Sequence, residues 1–290
     1  MDNVIEIRNA RFVYGENTAF RSVAIDGVDI DIERGRVTGI IGHTGSGKST
    51  LIQMMNGLLK PEPGTVTVDG KDIFKDKKSL KNAKFTVGLV FQYPEYQLFE
   101  ETVFKDISFG PKNMGLSADE IKARVEEAAA TVGLDSSLFE RSPFEMSGGQ
   151  KRRVAIAGVM AMKPEVLILD EPASGLDPVG RDEVFSALLR YKEGGRTVVI
   201  VSHSMEDMAR YADNVIVMAH GKCVMFGSKS EVFGRADELL SIGLNVPQIT
   251  SLTNRLRASG IALPERIYTV QDAFAALLPL LEKDGKGGEL

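Results

Sequence analysis

The sequence has a single cysteine, Cys223, among its 290 residues, so no intrachain disulfide can form and packing alone must hold the fold. Such sparing use of cysteine fits a reducing compartment, and Cys223 is expected to be a small, half-buried thiol. No stretch approaches the roughly 18 consecutive apolar residues that a membrane helix needs. The densest apolar runs, Val166–Leu169 and Val198–Val201, have strand length instead. The opening residues Met1 to Glu6 do not read as a signal peptide. A cytoplasmic chain is expected, one that reaches a membrane only through a partner. Positive charge is also short: 35 Lys and Arg against 40 Asp and Glu leave a net −5, which disfavours a dedicated nucleic-acid binder. Internal repeats are absent. Against these absences stand 43% apolar and 26% charged residues, the composition of a globular chain with a real core.

Apolar periodicity organises the chain. Val28, Ile30 and Ile32 alternate with Asp29, Asp31 and Glu33, the pattern of a half-buried edge strand. Val37–Ile41 is a short buried-strand run leading into glycine-rich Gly42–Gly47 and then a helix expected over Lys48–Leu58, ended by the Pro61/Pro63/Gly64 turn. Further strands are expected at Val66–Val68, Thr86–Phe91, Val166–Leu169, Thr197–Val201 and Val215–Met218. Helical patterns cover Asp119–Val132, Gln150–Met162, Val179–Tyr191 and Met205–Tyr211. Strands alternating with helices predict an α/β fold with a largely parallel sheet. Tyr93 to Lys163 holds no convincing core strand and reads as an inserted helical subdomain. Beyond about Lys229 the alternation stops; a last helix carries Phe274, Leu277, Leu278 and Leu281 on one face.

The chemistry begins at Gly42-His43-Thr44-Gly45-Ser46-Gly47-Lys48-Ser49-Thr50, which matches G-x-x-x-x-G-K-[ST]. Glycines let the backbone curl so that N–H groups point at phosphate oxygens, and the following helix aims its positive end at the same anion. Lys48 supplies a cation for the β- and γ-phosphates, and Ser49 a hydroxyl ligand for Mg²⁺. His43 lies inside the ATP-binding loop, but nothing in the spacing gives its side chain a role. Leu167-Ile168-Leu169-Asp170-Glu171 is a buried strand ending in two acids at the edge where open α/β sheets bind ligands. Successive strand residues face opposite ways, so the two acids should do different work: Asp170 on Mg²⁺, Glu171 as general base toward the attacking water. Ser147, with two glycines opening a helix, forms another anion-binding terminus.

Met146-Ser147-Gly148-Gly149-Gln150 resembles the signature motif of ATP-binding cassette ATPases, usually Leu-Ser-Gly-Gly-Gln, with Met146 in place of leucine. The resemblance extends over roughly residues 4–227. It implies a P-loop NTPase (RecA-like) core with an antiparallel β subdomain, an inserted helical subdomain at about 93–163, and a small C-terminal domain. It also implies site roles: Gln92 as the Q-loop contact to Mg²⁺ or water, Asp177 in the D-loop Ser174–Asp177, His203 as the switch histidine, and Tyr14, with Phe12 as substitute, stacking on adenine. Ser147, Gly148, Gly149 and Gln150 would cover ATP held by a partner cassette in a head-to-tail dimer.

A narrower resemblance lies in Phe91–Glu100, Phe104–Pro111, Ser142–Glu145 and Gly42-His43-Thr44. These segments are similar to energy-coupling factor (ECF) transporter ATPases, and most like the second ATPase of a shared vitamin-type module. That implies a distinct partner ATPase (EcfA1-like), a membrane scaffold T component (EcfT) and separate substrate-binding S components, at the cytoplasmic face of the cell membrane. It implies a nucleotide-binding domain over 1–227, a dimerisation domain over 228–282 and a flexible tail over 283–290. Tyr93–Phe99 would line a groove for the scaffold's coupling helices or pack within the helical subdomain. Competing readings are a homodimeric ATPase of a cobalt or nickel importer, a non-catalytic nucleotide-binding subunit, and a soluble cassette factor of translation or DNA repair. The last is disfavoured by a lone P-loop, no sustained heptads and the acidic balance.

Overall fold

The computed structural model of the chain describes residues 2–284. In chain order the elements are β1 (Asn3–Tyr14), β2 (Ser22–Glu33), β3 (Val37–Gly42), α1 (Lys48–Met55), β4 (Thr65–Val68), β5 (Lys71–Asp72), α2 (Lys77–Thr86) and β6 (Val87–Val90). There follow α3 (Val103–Asn113), α4 (Ala118–Thr131), α5 (Gly148–Met160), β7 (Val166–Asp170), α6 (Pro178–Glu193), β8 (Thr197–Val201), α7 (Met205–Tyr211), β9 (Asn214–Ala219) and β10 (Lys222–Ser228). The chain closes with α8 (Lys229–Gly234), α9 (Ala236–Ser241), α10 (Gln248–Ala258) and α11 (Val270–Asp284).

Two sheets form. The larger runs β10-β9-β3-β8-β7-β6, parallel from β9 to β6, with β10 returning antiparallel as a hairpin. Its strands β3, β7 and β8 are buried along their whole length, as continuous apolar runs require. The side-chain period of two divides each strand between two cores: Leu167 and Leu169 of β7 join Val198 and Ile200 of β8 on one face, while Val166, Ile168, Val199 and Val201 join the other. The smaller sheet, β2-β1-β4-β5, is antiparallel and covers the second face together with α1. There Val28, Ile30 and Ile32 of the edge strand β2 are buried, as their alternation predicts. The helices α3 to α7 cover the first face.

Two differences from the sequence-based expectation have local causes. Helix α1 stops at Met55 rather than Leu58, before the proline turn is reached. Gly57 N–H donates to the Met54 carbonyl and Leu58 N–H to that of Gln53, a Schellman cap. Helix α2 has no counterpart in the expected elements because Ala83 is its only buried residue and an apolar stripe is missing. Its start rests on Asp76, whose carboxylate accepts from Ser79 N–H at 2.7 Å.

The C-terminal segment shares the first core. Val232, Phe233, Leu239, Leu244, Val246 and Tyr268 cluster with residues of β3, β8 and β9. By contrast, Phe274, Leu278 and Leu281 of α11 point outward, while Ala273 of the same helix is buried. The tail expected over 283–290 lies largely outside the described residues; residues 283 and 284 complete α11. Cys223 is half-buried, and burial pushes its thiol up to about 11, which disfavours the thiolate.

Candidate nucleotide site

Sheet order explains how distant residues meet. β3, β8, β7 and β6 are neighbours in that order and run parallel, so the segments following them emerge side by side at one edge. Those segments carry the P-loop, His203, Asp170–Glu171 and Gln92 respectively. All of them line one cavity of about 870 Å³, joined by Tyr14, Ser22–Ala24 and Met205.

The P-loop is built on a left-handed glycine. Gly47 caps α1 at φ 103°, and a Cβ there would fall on the Ala24 carbonyl, so no side chain fits. Gly42, His43, Thr44, Gly45, Lys48, Ser49 and Thr50 line the cavity. Ser46 does not; its side chain is buried without a hydrogen-bond partner among the described residues, and its carbonyl accepts from Gly221 N–H at 3.1 Å. Lys48 curls over the loop, donating to the carbonyls of Gly42 at 2.6 Å and His43 at 2.8 Å. Burial pulls the Lys48 pKa down, against the opposing pull of Glu171 and Asp170.

The two acids diverge. Asp170 is buried and accepts from the Ser49 hydroxyl at 3.0 Å. Burial raises its pKa, Glu171 adds to the rise, and Ser49 and Lys48 oppose it. Glu171 instead takes a left-handed backbone, φ 50°, with its N–H donating to the Val201 carbonyl at 2.9 Å. That turn aims its carboxylate at His203, whose Nδ1 lies 2.9 Å from a Glu171 oxygen. A non-glycine residue held there is strained, which is how active sites spend stability on geometry. Ser49 and Asp170 present hard oxygens a hydrogen bond apart, with the Gln92 side chain exposed in the same cavity. This donor set fits Mg²⁺, which takes few protein ligands beside phosphate oxygens.

At the open end, Tyr14 lines the cavity and shares a 3.3 Å hydrogen bond with the Thr50 hydroxyl. Phe12 packs edge-on against it at 4.9 Å and belongs to the core behind, so of the two rings only the tyrosine lines the cavity.

The signature residues lie elsewhere. Ser147 caps α5 in a capping box: its hydroxyl accepts from Gln150 N–H at 3.3 Å, and Gln150 Oε1 accepts from Ser147 N–H at 3.1 Å. Asp177 caps α6, accepting from Gly180 N–H at 2.7 Å. Ser147, Gly149 and Asp177 line a separate recess of about 470 Å³, and none of the signature residues touches the P-loop cavity.

Three features escape sequence reasoning. Arg152 is buried, bonding to both Glu95 oxygens at 3.4 Å and to the carbonyls of Pro172 at 3.3 Å and Ser174 at 2.6 Å. Arg181 donates to Ser204 Oγ at 2.8 Å and to buried Asp207 at 2.9 Å, tying the helix after the D-loop to the helix after His203. His43 Nε2 donates to the Ile242 carbonyl at 2.9 Å, and Gly243, Leu244 and Asn245 line the nucleotide cavity.

A family model described as ABC transporter matches residues 25–174. The chain is 52% identical over 278 residues to the energy-coupling factor transporter ATP-binding protein EcfA2 of Caldanaerobacter subterraneus, covering 96% of this chain and 97% of that protein. It is 50% identical to the EcfA2 of Clostridium perfringens over 282 residues, 97% of this chain and 99% of that one. Among solved structures, cbiO1 from Clostridium perfringens, part of the cbiONQ ABC transporter complex, superposes with a TM-score of 0.74 at 38% identity, covering 88% of this chain and all of that one. The dimeric cassette MJ0796, seen in a post-hydrolysis state with ADP and Pi, superposes at 0.70 with 27% identity, covering 78% and 98%. The chain belongs to the ABC transporter family and, within it, to the energy-coupling factor transporter ATP-binding proteins, the ATPase subunits of ECF-type importers.

Proposed function

We propose that this chain works in a head-to-tail pair with a second, different cassette ATPase (EcfA1-like), and that the pair energises uptake of vitamins or other micronutrients. The observation that carries the reading is the separation of the P-loop cavity from the recess holding Ser147, Gly149 and Asp177. One chain has both halves of a nucleotide sandwich on different surfaces. A second cassette must bring its own signature segment to this P-loop, while Ser147–Gln150 here cover the partner's ATP. In the closed pair Tyr14 stacks on adenine, Lys48 and the loop amides bind the β- and γ-phosphates, and Glu171 takes a proton from the attacking water. His203 orients Glu171 and that water. Ser49, Asp170 and Gln92 would hold Mg²⁺, which would supply neutralisation of phosphate charge.

No helix among the described residues is long and apolar enough to cross a membrane, so attachment to the cytoplasmic face runs through a scaffold T component (EcfT). The surface for it is argued from exposure: Tyr93, Tyr96 and Phe99 are 47%, 84% and 58% exposed, while Pro94 and Leu98 between them are buried. Separate S components choose the substrate. The outward apolar face of α11, with Phe274, Leu278 and Leu281, supports dimerisation by residues 228–282.

Affinity purification from native membranes, followed by mass spectrometry, tests the assembly. A second cassette ATPase, one scaffold and several small membrane proteins are expected. Recovery without a second cassette would replace this reading with a homodimeric importer, for which cobalt or nickel ions are the first substrates to try. A second measurement tests the metal assignment. Ser49→Ala removes a ligand and the partner of Asp170, and is expected to raise the Mg²⁺ concentration for half-maximal hydrolysis on the order of 10-fold. An unchanged Mg²⁺ titration would remove Ser49 from the metal site.

A further inference from the structure

The nucleotide cavity has a wall that none of the motifs predicts. Gly243, Leu244 and Asn245, from the turn between α9 and α10, line it beside the P-loop, Glu171 and His203. The turn is built to stay there. Gly243 N–H donates to the Leu240 carbonyl and Leu244 N–H to that of Leu239, both at 2.9 Å, a Schellman cap that ends α9. Leu239, Leu244 and Val246 are buried in the same core cluster as Ile41 of β3 and Met205 of α7. Gln248 N–H donates to Glu206 three residues beyond the switch histidine, at 3.2 Å.

The side chain that reaches the turn from the P-loop is His43. Its Nε2 donates to the Ile242 carbonyl, 199 positions away in the chain. Gly243 makes room for it. With φ at +77° the residue is left-handed, and a Cβ there would sit 3.0 Å from His43 Nε2 and 3.4 Å from its Cε1. Any other residue would strain the backbone and press on the imidazole at once.

We propose that the Ile242–Asn245 turn is part of this chain's own nucleotide site, and that the His43–Ile242 hydrogen bond links P-loop occupancy to the position of the C-terminal segment. His43 and Gly243 are positioning residues: neither is asked to touch a reacting atom. A nucleotide that fixes the loop around His43 also fixes the turn bonded to it. Linkage is reciprocal, so whatever orders the C-terminal segment tightens nucleotide binding by the same factor. The inference rests on the assignment of Gly42–Thr50 as the ATP-binding loop.

Hydrogen–deuterium exchange on the full chain, with and without Mg²⁺ and a non-hydrolysable ATP analogue, tests it. Nucleotide is expected to slow exchange in peptides covering 42–50 and, in the same samples, in those covering 239–246. In His43→Ala the first protection persists and the second is lost, with analogue affinity about three- to tenfold weaker, the worth of one net hydrogen bond. His43→Gln restores both, because its amide nitrogen donates at a similar reach. Gly243→Ala repeats the loss from the other side. Protection at 42–50 without any at 239–246 in the unaltered chain overturns the linkage and leaves ATP binding intact. So does turn protection that survives His43→Ala. Protection at neither segment overturns the nucleotide assignment itself.

Discussion

Replacing Glu171 by glutamine should abolish turnover while leaving ATP bound. Hydrolysis is expected to fall at least about 100-fold, the low end of what a positioned general base contributes. The reason is specific to the geometry. Glutamine has the shape of glutamate, so the left-handed turn at φ 50° and the backbone bond to Val201 need not change. Its amide group still sits beside His203 Nδ1, which now lies 2.9 Å from a Glu171 oxygen. What disappears is the ability to take a proton. In the proposed mechanism binding falls to other groups, the loop amides, Lys48 and Tyr14, so affinity for ATP should move less than about threefold. The assay is phosphate release by the assembled transporter, with equilibrium binding of a fluorescent ATP analogue measured beside it. Hydrolysis at the unaltered rate would remove Glu171 from the catalytic role. Loss of binding together with hydrolysis would mean that the substitution disturbed the site rather than its chemistry.

What could be read in the sequence, and what could not, follows from how far apart the interacting groups lie. The P-loop and Asp170–Glu171 were legible in the residues themselves, because each follows a short apolar run and strand ends are where parallel sheets gather ligands, whereas Gln92 and His203 were singled out through the family resemblance; all of them line one cavity. Strand alternation would have sent Asp170 and Glu171 to opposite faces, but Glu171 lies past the end of β7 in a left-handed turn, so both line one cavity while meeting different partners. Residues whose partners are set by tertiary packing gave no local signal. His43 meets Ile242 across 199 positions, and Arg152 meets Glu95 across 57, with no periodicity to announce either. Gly57 did carry a signal, a glycine just past the last buried residue of α1, which the nearby prolines overshadowed. The polar helix α2 was invisible for the opposite reason: its cap at Asp76 was present but no apolar face followed.

Arg152 carries the second large effect. Substituting Arg152→Met is expected to cost about 3 kcal/mol of stability, because it breaks a buried charge pair from one side only. The guanidinium side chain is 5% exposed and its partner Glu95 18% exposed, so water cannot replace what is lost. Three segments would lose their common anchor. Glu95 follows Gln92 in the stretch whose aromatic residues face outward, Arg152 itself belongs to the helix that Ser147 caps, and Ser174 opens the turn ending at Asp177. The Ser174 bond, at 2.6 Å, is the shortest of the set, and its carbonyl would be left unpaired together with that of Pro172. The thermal midpoint should fall on the order of 6–12 °C for a domain of this size. A double substitution, Arg152→Met with Glu95→Gln, should recover part of the loss, since it removes the stranded carboxylate but not the stranded carbonyls. That asymmetry separates the ion pair from simple loss of side-chain volume, which Glu95→Gln could not repair. A midpoint unchanged within about a degree would mean that the three segments are held by their apolar contacts, and that the guanidinium fills space between them without joining them.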